Sequence, residues 1–331
     1  MKRACIIYSD QCLRHGTEGH VENFRRLTSV MAGLKAPELS GLADIVTPGR
    51  ASQGQLIKVH HPNYVLHVET FGTGMLDPDT EMTDGSLDAA RLAAGAAVDA
   101  VEEVRNGREL AFGLIRPPGH HALPDRAMGF CLFNNAAVGA AQALAHYSKV
   151  LIVDWDVHHG NGTEQIFYGT PDVLYFSVHQ SPHFPYTGAV GDAGEGEGEG
   201  YNVNIPLPPG STDADYLEAF LRVLAPIADD YRPDLVIVSA GYDPAEGDPL
   251  GDMRMTPRGF QKLAYLVRSI TRANGVIALL EGGYSALLPD CVAASIRGFL
   301  GEDAEISLAT TAAARSHVDE AVRAQRQYWR L

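Results

Sequence analysis

The stretch DWDVHHGNGT, residues 154–163, directly follows the apolar run VLIV at residues 150–153. A run rich in β-branched residues favours a buried strand, so the polar stretch begins where that strand ends. Asp154, Asp156 and His158 alternate along the chain, and alternate side chains of extended backbone project to one side. Carboxylates and an imidazole that converge in this way predict a metal site, in preference to surface residues that cap a helix.

Other apolar runs of the same kind surround this stretch in the sequence. They predict further strands at residues 4–8, 110–115, 173–178, 235–239 and 276–280. Helical patterns alternate with them, at residues 86–105, 134–146, 213–229 and 257–273, and a last one lies at 312–326. Strands that are apolar throughout are buried on both faces, which predicts an α/β fold with a mainly parallel sheet flanked by helices.

No Pro/Ser-rich linker or internal repeat divides the sequence. We therefore expect a single domain over residues 1–331, with residues 302–331 forming a peripheral helix. The repeat GEGEGEG at residues 194–200 is too charged and too rich in glycine for a core, so it predicts a solvated loop.

Composition narrows the class of protein. The 331 residues include 41 acidic and 26 basic side chains, and the formal net charge of −15 disfavours nucleic acid as a direct partner. No apolar run reaches the roughly 18 residues that a membrane span needs, and the start MKRACIIYSD lacks the apolar core of a signal peptide. The four cysteines form no CxxC pair, which is typical of reduced thiols. We expect a soluble, cytoplasmic protein and leave homo-oligomerisation open.

Polar sequence follows five of the predicted strands at their carboxyl ends. The segments are RPPGHHA (116–122), DWDVHHGNGT (154–163), His179, AGYDPAEGDP (240–249) and EGGY (281–284). In parallel sheets, ligands bind beyond the carboxyl ends of the strands. Five segments that are distant in sequence are therefore expected to meet at one edge of the sheet and to form an active site.

Asp243 is the candidate for a third metal ligand, because it follows a neighbouring predicted strand. The alternative is a turn residue before Pro244. Two carboxylates and one imidazole leave coordination positions open, as catalytic sites do. The ligand types suit one Zn²⁺ per chain, and Fe²⁺ or Co²⁺ fits the same donors.

The adjacent His120 and His121 provide groups for proton transfer. A neutral imidazole can take a proton from water, and an imidazolium can give one to a departing amine. Tyr284 lies on a glycine-rich turn, from which a phenol can donate a hydrogen bond to a developing oxyanion. The alternative for Tyr284 is a ring that packs beside a chain reversal.

These motifs, in this order, resemble the histone deacetylase family, above all its class II branch, which is shared with bacterial deacetylase-like and acetylpolyamine amidohydrolases. RPPGHHA, DWDVHHGNGT, SAGYDP with DPLG (239–251) and LEGGY (280–284) carry the resemblance, which covers residues 19–300. It implies the arginase/deacetylase fold, with a parallel sheet of about eight strands, and a zinc ion at the bottom of a narrow tunnel.

The resemblance implies a role for each matching residue. The zinc ligands are Asp156, His158 and Asp243, and the catalytic groups are His120, His121, Tyr284 and Asp154, which orients His120. A structural K⁺ or Na⁺ ion is implied at Asp154, Asp156, His158, Ser177 and Val178. A second monovalent ion is implied at Phe167, Thr170, Val173 and Tyr201. The positions that match tunnel walls or contact substrate are Gly129, Phe130, Phe184, Leu250 and Gly283.

The sequence departs from the family pattern in three places. GHVENFRR (19–26) lacks the prolines that are usual there, which bears on the tunnel entrance and the internal pocket. Asn161 replaces the aspartate of many class I relatives, so it should raise the pKa of His121 less than a carboxylate does. Leu250 stands where polyamine-selective eukaryotic relatives carry an acid.

The resemblance implies a zinc-dependent deacetylase that converts acetyl-lysine in a protein or peptide, or a related small acylated amine, to acetate and the free amine. Leu250 favours this substrate over an acetylpolyamine. The acetylpolyamine stays the alternative, because bacterial polyamine enzymes can place acids elsewhere, and Asp77 and Asp79 are candidates for such acids at the rim. An arginase-like ureohydrolase needs additional aspartates for a second metal, and Gly160 stands where one of them is expected. A non-catalytic acyl-lysine binder is expected to lack a ligand or the tyrosine, and this sequence keeps them all.

Overall fold

The computed structural model describes residues 3–16, 19–36, 41–270 and 275–331. Its strands are β1 Ala4–Ile7, β2 Ala43–Val46, β3 Gly74–Asp77, β4 Thr80–Met82, β5 Leu110–Gly113, β6 Val150–Asp154, β7 Val173–Gln180, β8 Asn202–Leu207, β9 Leu235–Ala240 and β10 Val276–Leu280. Eight of them form one sheet in the order β2-β1-β5-β10-β9-β6-β7-β8, and β3 and β4 form a separate antiparallel hairpin. Every pairing in the large sheet is parallel, which confirms the predicted α/β class.

The helices flank this sheet. They span Arg25–Leu34, Gln53–Leu56, Pro62–Phe71, Ser86–Arg105, Asn135–Ala143, Asn161–Phe167, Asp213–Ala219, Ala225–Tyr231, Pro257–Ile270, Leu288–Phe299 and Ala312–Gln325. A π-helical segment, Phe220–Leu224, lies inside the helix predicted at 213–229. Residues 271–273 of the helix predicted at 257–273 lie outside the described residues. Within the described ranges, no helix is long and apolar enough to cross a membrane.

The sheet separates two apolar cores, because successive side chains of a strand face opposite sides. Phe112 and Val153 belong to the core on one side, which also contains Trp155 and Phe299. Ala111 belongs to the other core, together with residues of the alanine-rich helix Ser86–Arg105. Strands buried on both faces hold their ends rigidly, which suits a site that needs fixed geometry.

The C-terminal helix Ala312–Gln325 packs against β8 at one edge of the sheet. Just beyond it, Trp329 Nε1 donates a hydrogen bond to the carbonyl oxygen of Gly200 at 2.8 Å. The segment 194–200 contains a short 3₁₀ turn, Gly196–Gly198. Glu195, Gly196 and Glu197 are exposed, whereas Gly198 and Gly200 are buried, so the predicted solvated loop is exposed in part.

The topology explains where the polar segments meet. The strands β5, β10, β9, β6 and β7 are consecutive neighbours in the sheet, and these are the five that polar sequence follows. Because they are parallel, their carboxyl ends lie at the same edge. The segments that begin at residues 116, 154, 179, 240 and 281 therefore converge there, as the sequence predicts.

Candidate active site

Asp156, His158 and Asp243 converge at the carboxyl edge of β6 and β9. His158 Nδ1 lies 2.9 Å from Asp156 Oδ1 and 3.3 Å from Asp243 Oδ2. The candidate ligand atoms of all three residues lie within 4.8 Å of one another. Among the described residues, this is the group of histidine, cysteine and acidic side chains that can hold a metal ion.

The polar atoms of this triad fit a cation. Asp243 Oδ1 accepts a hydrogen bond from the backbone N–H of Val157 at 2.8 Å. Asp243 Oδ2 is buried and has no hydrogen-bond partner among the described residues, although His158 lies close to it. A buried carboxylate oxygen without a donor is costly unless a positive charge compensates it. The donor set of two carboxylates and one imidazole suits a divalent transition metal.

The pKa values show the same excess of negative charge. Burial raises the pKa of Asp243 to about 7, and the neighbouring Asp156 carboxylate adds to the rise. Burial disfavours the charged form of His158, but Asp156 and Asp243 outweigh this effect and raise its pKa to about 10. His158 and Asp243 therefore retain protons near neutral pH at the position where a cation can bind. A cation that binds there must displace these protons.

Gly282, which follows β10, lets the backbone approach these ligands closely. Its N–H donates to Asp156 Oδ2 at 2.9 Å. A Cβ atom at this position would lie 2.0 Å from Asp243 Oδ2 and 2.7 Å from Asp156 Oδ2. Only glycine therefore fits here, which gives a physical reason for the first glycine of the EGGY motif.

His120 is held as a charged imidazolium. Its Nδ1 lies 3.0 Å from Asp154 Oδ2, and its Nε2 lies 3.8 Å from Asp156 Oδ1. Burial disfavours protonation, but Asp154 and Asp156 outweigh it and raise the pKa of His120 well above its usual value. Tyr175 also donates its hydroxyl to Asp154 Oδ2 at 3.0 Å, which fixes the carboxylate.

His121, the next residue, is neutral. Its Nδ1 lies 2.8 Å from Asn161 Oδ1, and since an amide oxygen only accepts, Nδ1 carries the proton. Nε2 therefore keeps a lone pair. Burial lowers the pKa of His121 well below its usual value, and the positive neighbours His120 and His158 lower it further. The two adjacent rings, with centroids 4.1 Å apart, thus differ in protonation state: His120 is charged and His121 is neutral.

Tyr284 completes the arrangement from the EGGY segment. Burial raises the pKa of Tyr284 well above its usual value, so the hydroxyl keeps its proton at neutral pH and can donate it in a hydrogen bond. Its backbone N–H donates to Asp248 Oδ2 at 2.6 Å. The guanidinium of Arg26 lies 4.7 Å from the ring centroid, a cation–π contact.

A cavity of about 350 Å³ opens above these groups. His120, His121, Asp156, His158 and Tyr284 line it. Of the predicted wall positions, Gly129, Phe130, Phe184 and Leu250 also line it. Gly282 lines it where Gly283 was predicted, and the carbonyl of Gly283 instead accepts a hydrogen bond from Arg26 Nε at 2.7 Å.

The aromatic wall has supports that local sequence patterns do not reveal. Phe130 has a φ of 67°, and its N–H donates to Thr80 Oγ1 at 3.1 Å. The N–H of Gly129 donates to Asp79 Oδ1 at 2.9 Å, so the β3–β4 hairpin holds this wall. His183 also lines the cavity, and its ring stacks on His158 with centroids 4.9 Å apart.

The residues predicted to hold monovalent ions lie in two places. Asp154 and Ser177 are paired across β6 and β7, next to the triad, and Val178 follows on β7. Phe167, Thr170, Val173 and Tyr201 lie around the amino-terminal ends of β7 and β8. Both monovalent sites stay predictions.

A second buried charged group lies behind Tyr284. Arg116 donates to Glu22 through Nε at 2.5 Å and through Nη2 at 2.6 Å. Arg26 Nη1 donates to Glu22 Oε1 at 2.9 Å. Burial opposes ionisation, but Arg116 and Arg26 lower the pKa of Glu22 to about 2. The segment 19–26 thus lacks the expected prolines but supplies Glu22 and Arg26 to a buried ion-pair network.

Comparison with known proteins agrees with this geometry. The chain matches the family model described as histone deacetylase domain over residues 20–299. A probable deacetylase of Methanothermobacter thermautotrophicus is 41% identical over 312 residues, which cover 91% of this chain and 92% of that protein. A histone deacetylase-like amidohydrolase of Pseudomonas aeruginosa is 38% identical over 295 residues, with 86% and 77% covered.

Among solved structures, the crystal structure of the HDA15 HD domain aligns with a TM-score of 0.94 and 36% identity. The alignment covers 99% of this chain and 95% of that one. The sheet, the converging triad and these matches lead to one conclusion. The chain belongs to the histone deacetylase family, a family of deacetylases and related amidohydrolases.

Proposed function

We propose that this chain is a zinc-dependent deacetylase that hydrolyses the amide of acetyl-lysine, in a protein or peptide, to acetate and the free amine. One observation carries the proposal: Asp156 and His158 of the carboxylate–imidazole triad line the same cavity as the neutral His121 and the protonated Tyr284. Amide hydrolysis needs a Lewis acid, a base and an oxyanion donor, and this combination supplies residues for all three.

Asp156, His158 and Asp243 are the residues that would hold the metal ion. When bound, a zinc ion polarises the substrate carbonyl and lowers the pKa of water. The carboxylates are already oriented for it, because the backbone N–H groups of His158 and Val157 each donate to one of their oxygens. Asp156 Oδ2 also accepts the N–H of Gly282, just beyond β10, which fixes this carboxylate further.

His121 acts as the general base in this proposal. Its Nε2 lone pair takes a proton from the attacking water, and the new C–O bond forms as the carbonyl π electrons move to oxygen. His121 then gives this proton to the amine nitrogen as the C–N bond breaks. His120 stays protonated on Asp154, and its positive charge stabilises the negative charge that develops nearby.

Tyr284 donates its hydroxyl to the oxyanion, and the aromatic walls select the shape of the substrate. Phe130 and Phe184 give the cavity apolar faces that suit the methylene stem of a lysine. Leu250 lines the same cavity and offers no charge to a second ammonium group. The two acids outside the triad that also line it, Asp79 and Asp252, already accept hydrogen bonds from Gly129 and Gln180. This supports acyl-lysine over acetylpolyamines, which carry such a group.

The test is an assay of zinc-loaded and chelator-treated protein on an acetyl-lysine peptide and on acetylputrescine. We expect turnover of the peptide only with zinc, and a loss of about 10²–10³-fold in kcat for Tyr284→Phe, the range found when one oxyanion donor is removed. Tyr265→Phe, on the helix Pro257–Ile270, serves as the matched control. Faster turnover of acetylputrescine would assign the polyamine class, and zinc-independent turnover would contradict the proposal.

A further inference from the structure

The carboxylate of Glu281 is completely buried at the end of β10, next to the site but outside the proposed reaction. Glu281 Oε2 accepts the N–H of Gly119 at 2.6 Å and the N–H of His120 at 3.2 Å. Glu281 Oε1 accepts the hydroxyl of Ser239 at 3.2 Å. One side chain thus joins β10 and β9 to the turn that carries both histidines.

Burying the charged carboxylate of Glu281 costs electrostatic free energy. The three hydrogen-bond donors to the carboxylate are neutral groups, so no counter-charge is supplied through them. Burial raises the pKa of Glu281 to about 7; His120 opposes the rise, whereas Asp154 adds to it. A buried acid that gains only neutral donors adds little net stability, since the desolvation of its carboxylate offsets the hydrogen bonds that it accepts from Gly119 and His120. A glutamate at this position therefore indicates a role for its oxygens in holding the Gly119–His120 turn in place.

The residues around Glu281 hold other parts of the site. The carbonyl oxygen of Glu281 accepts Arg26 Nη2 at 2.6 Å. Gly282 donates its N–H to the candidate metal ligand Asp156, and the Tyr284 ring lines the cavity. Glu281, Gly282 and Tyr284 of one four-residue segment therefore contact the histidine turn, the triad and the cavity in turn.

We propose that Glu281 is a positioning residue: its carboxylate fixes the Gly119–His120 backbone, and thereby the two histidine rings, relative to the metal triad and Tyr284. The inference rests on the proposed function and deepens it. The role requires acceptor oxygens in the right place and does not require the negative charge. Proton transfer depends steeply on such placement, and a displacement of about 1 Å can lower the rate about a hundredfold.

The experiment compares Glu281→Ala with Glu281→Gln in the zinc-loaded full chain. We expect Glu281→Ala to lower kcat about a hundredfold, with KM within about threefold and the zinc content unchanged. Glu281→Gln should restore most of kcat, because its amide oxygen can accept both backbone N–H groups and its NH₂ can donate to Ser239. Ser239→Ala is the matched control; it removes only the Oε1 contact and should stay within about threefold of wild type.

Two results would overturn the proposal. If Glu281→Ala keeps wild-type kcat, the contacts do not position the histidines. If Glu281→Gln is as slow as Glu281→Ala and the pH–rate profile moves with it, the negative charge and not the placement matters. Should Glu281→Ala fail to fold, Glu281→Met fills the same space without comparable acceptor oxygens, and the same predictions apply to it.

Amide hydrogen exchange separates this inference from the proposed function. The N–H groups of Gly119 and His120 should exchange faster in Glu281→Ala than in wild type or Glu281→Gln, whatever the substrate is. If wild type turns over no acylated amine but this pattern appears, the proposed function fails and the positioning role stands. Unchanged exchange in Glu281→Ala would refute the positioning role even in an active enzyme.

Discussion

Two buried charged clusters lie at the same edge of the sheet, and they are balanced in different ways. In the first, Glu22 has two arginine partners, Arg26 and Arg116, at hydrogen-bond distances. In the second, Asp156 and Asp243 share the imidazole of His158, and Asp156 also lies 3.8 Å from His120 Nε2. One oxygen of Asp243 has no hydrogen-bond donor among the described residues. The carboxylates of both clusters are buried, but His158 lines the cavity and its side chain is 12% exposed.

The difference separates a structural role from a ligand-binding role. Two guanidinium groups satisfy the Glu22 carboxylate, so its pKa falls to about 2. In the triad, burial and the neighbouring Asp156 raise the pKa of Asp243 to about 7. Burial opposes ionisation of Asp156 as well, but His120 and His158 lower its pKa, so Asp243 is the carboxylate left without a full counter-charge. A cluster that is satisfied by its own side chains stabilises the fold, whereas an unbalanced one is built to take a cation.

The largest expected effect comes from Asp243→Asn. This change removes one ligand, and we expect activity to fall by about a thousandfold or more, since the Lewis acid contributes several kcal/mol. The metal-free variant should be at least as stable as metal-free wild type at pH 8, because one of two repelling carboxylates is gone. Zinc content, kcat and urea unfolding measure these effects, with Asp229→Asn on the helix Ala225–Tyr231 as control. A large loss of stability in metal-free Asp243→Asn would show that the triad, like the Glu22 cluster, stabilises the fold without a cation.

Glu22→Gln should have the opposite profile. It leaves two buried arginines without an anionic partner, and breaking a buried pair in this way destabilises by about 3–5 kcal/mol. Urea unfolding in chelator measures it. Glu109→Gln is the matched control, because that glutamate also contacts two arginines, Arg3 and Arg268, but at a partly exposed site. The control should lose less than about 1 kcal/mol, and equal losses at both sites would contradict the comparison.

Acid should remove the Glu22 contribution in a defined window. The folded-state pKa, about 2, is below the ordinary value of 4.5, so the contribution is complete above about pH 4.5 and is lost as pH falls towards 2. The difference between the two pKa values corresponds to about 3 kcal/mol. The free energies of unfolding of wild type and Glu22→Gln should therefore approach each other between pH 5 and pH 2. Parallel pH profiles would show that Glu22 is not the group concerned.

The smallest expected effect is a pH-dependent gain in Tm on adding zinc. Zinc must displace the protons that the raised pKa values of His158 and Asp243 retain, so the gain should be larger at pH 8 than at pH 5. At a hundredfold excess over Kd the stabilisation is about 2.7 kcal/mol, or a few degrees. Thermal unfolding with and without zinc measures it, and Asp243→Asn should show little gain. An equal gain in Tm at both pH values would show that zinc binding does not displace protons from these residues.

The sequence alone predicted the main strands because they are continuous apolar runs, buried on both faces. It did not reveal β8, whose apolar pattern is interrupted by Asn202 and Asn204. The structure gives the reason: both asparagines donate to Glu164 Oε2 at 2.7 Å, so these positions serve a buried polar network. The edge strand β2 was also missed, since it has only four residues, none of them fully buried.

The site divides in a similar way. Residues within a short motif could be predicted, because Asp156 and His158 lie two positions apart and share one strand end. The residues that support the site from outside the motifs could not be predicted, because their contact partners are far away in sequence. Glu281 contacts Gly119 across 162 positions and Arg26 contacts Gly283 across 257, and no local pattern encodes such pairs.

Gly282 has a consequence for how such an enzyme can diversify. No side chain fits between its backbone and the two aspartates, so the EGGY turn cannot be altered stepwise without displacing the triad. The rim is different, because Leu250 and His183 are only partly buried and lie on loops. Substitutions at the rim can therefore change which acylated amine enters the cavity. The EGGY backbone beneath the rim cannot vary in the same way, so the reacting groups keep their positions.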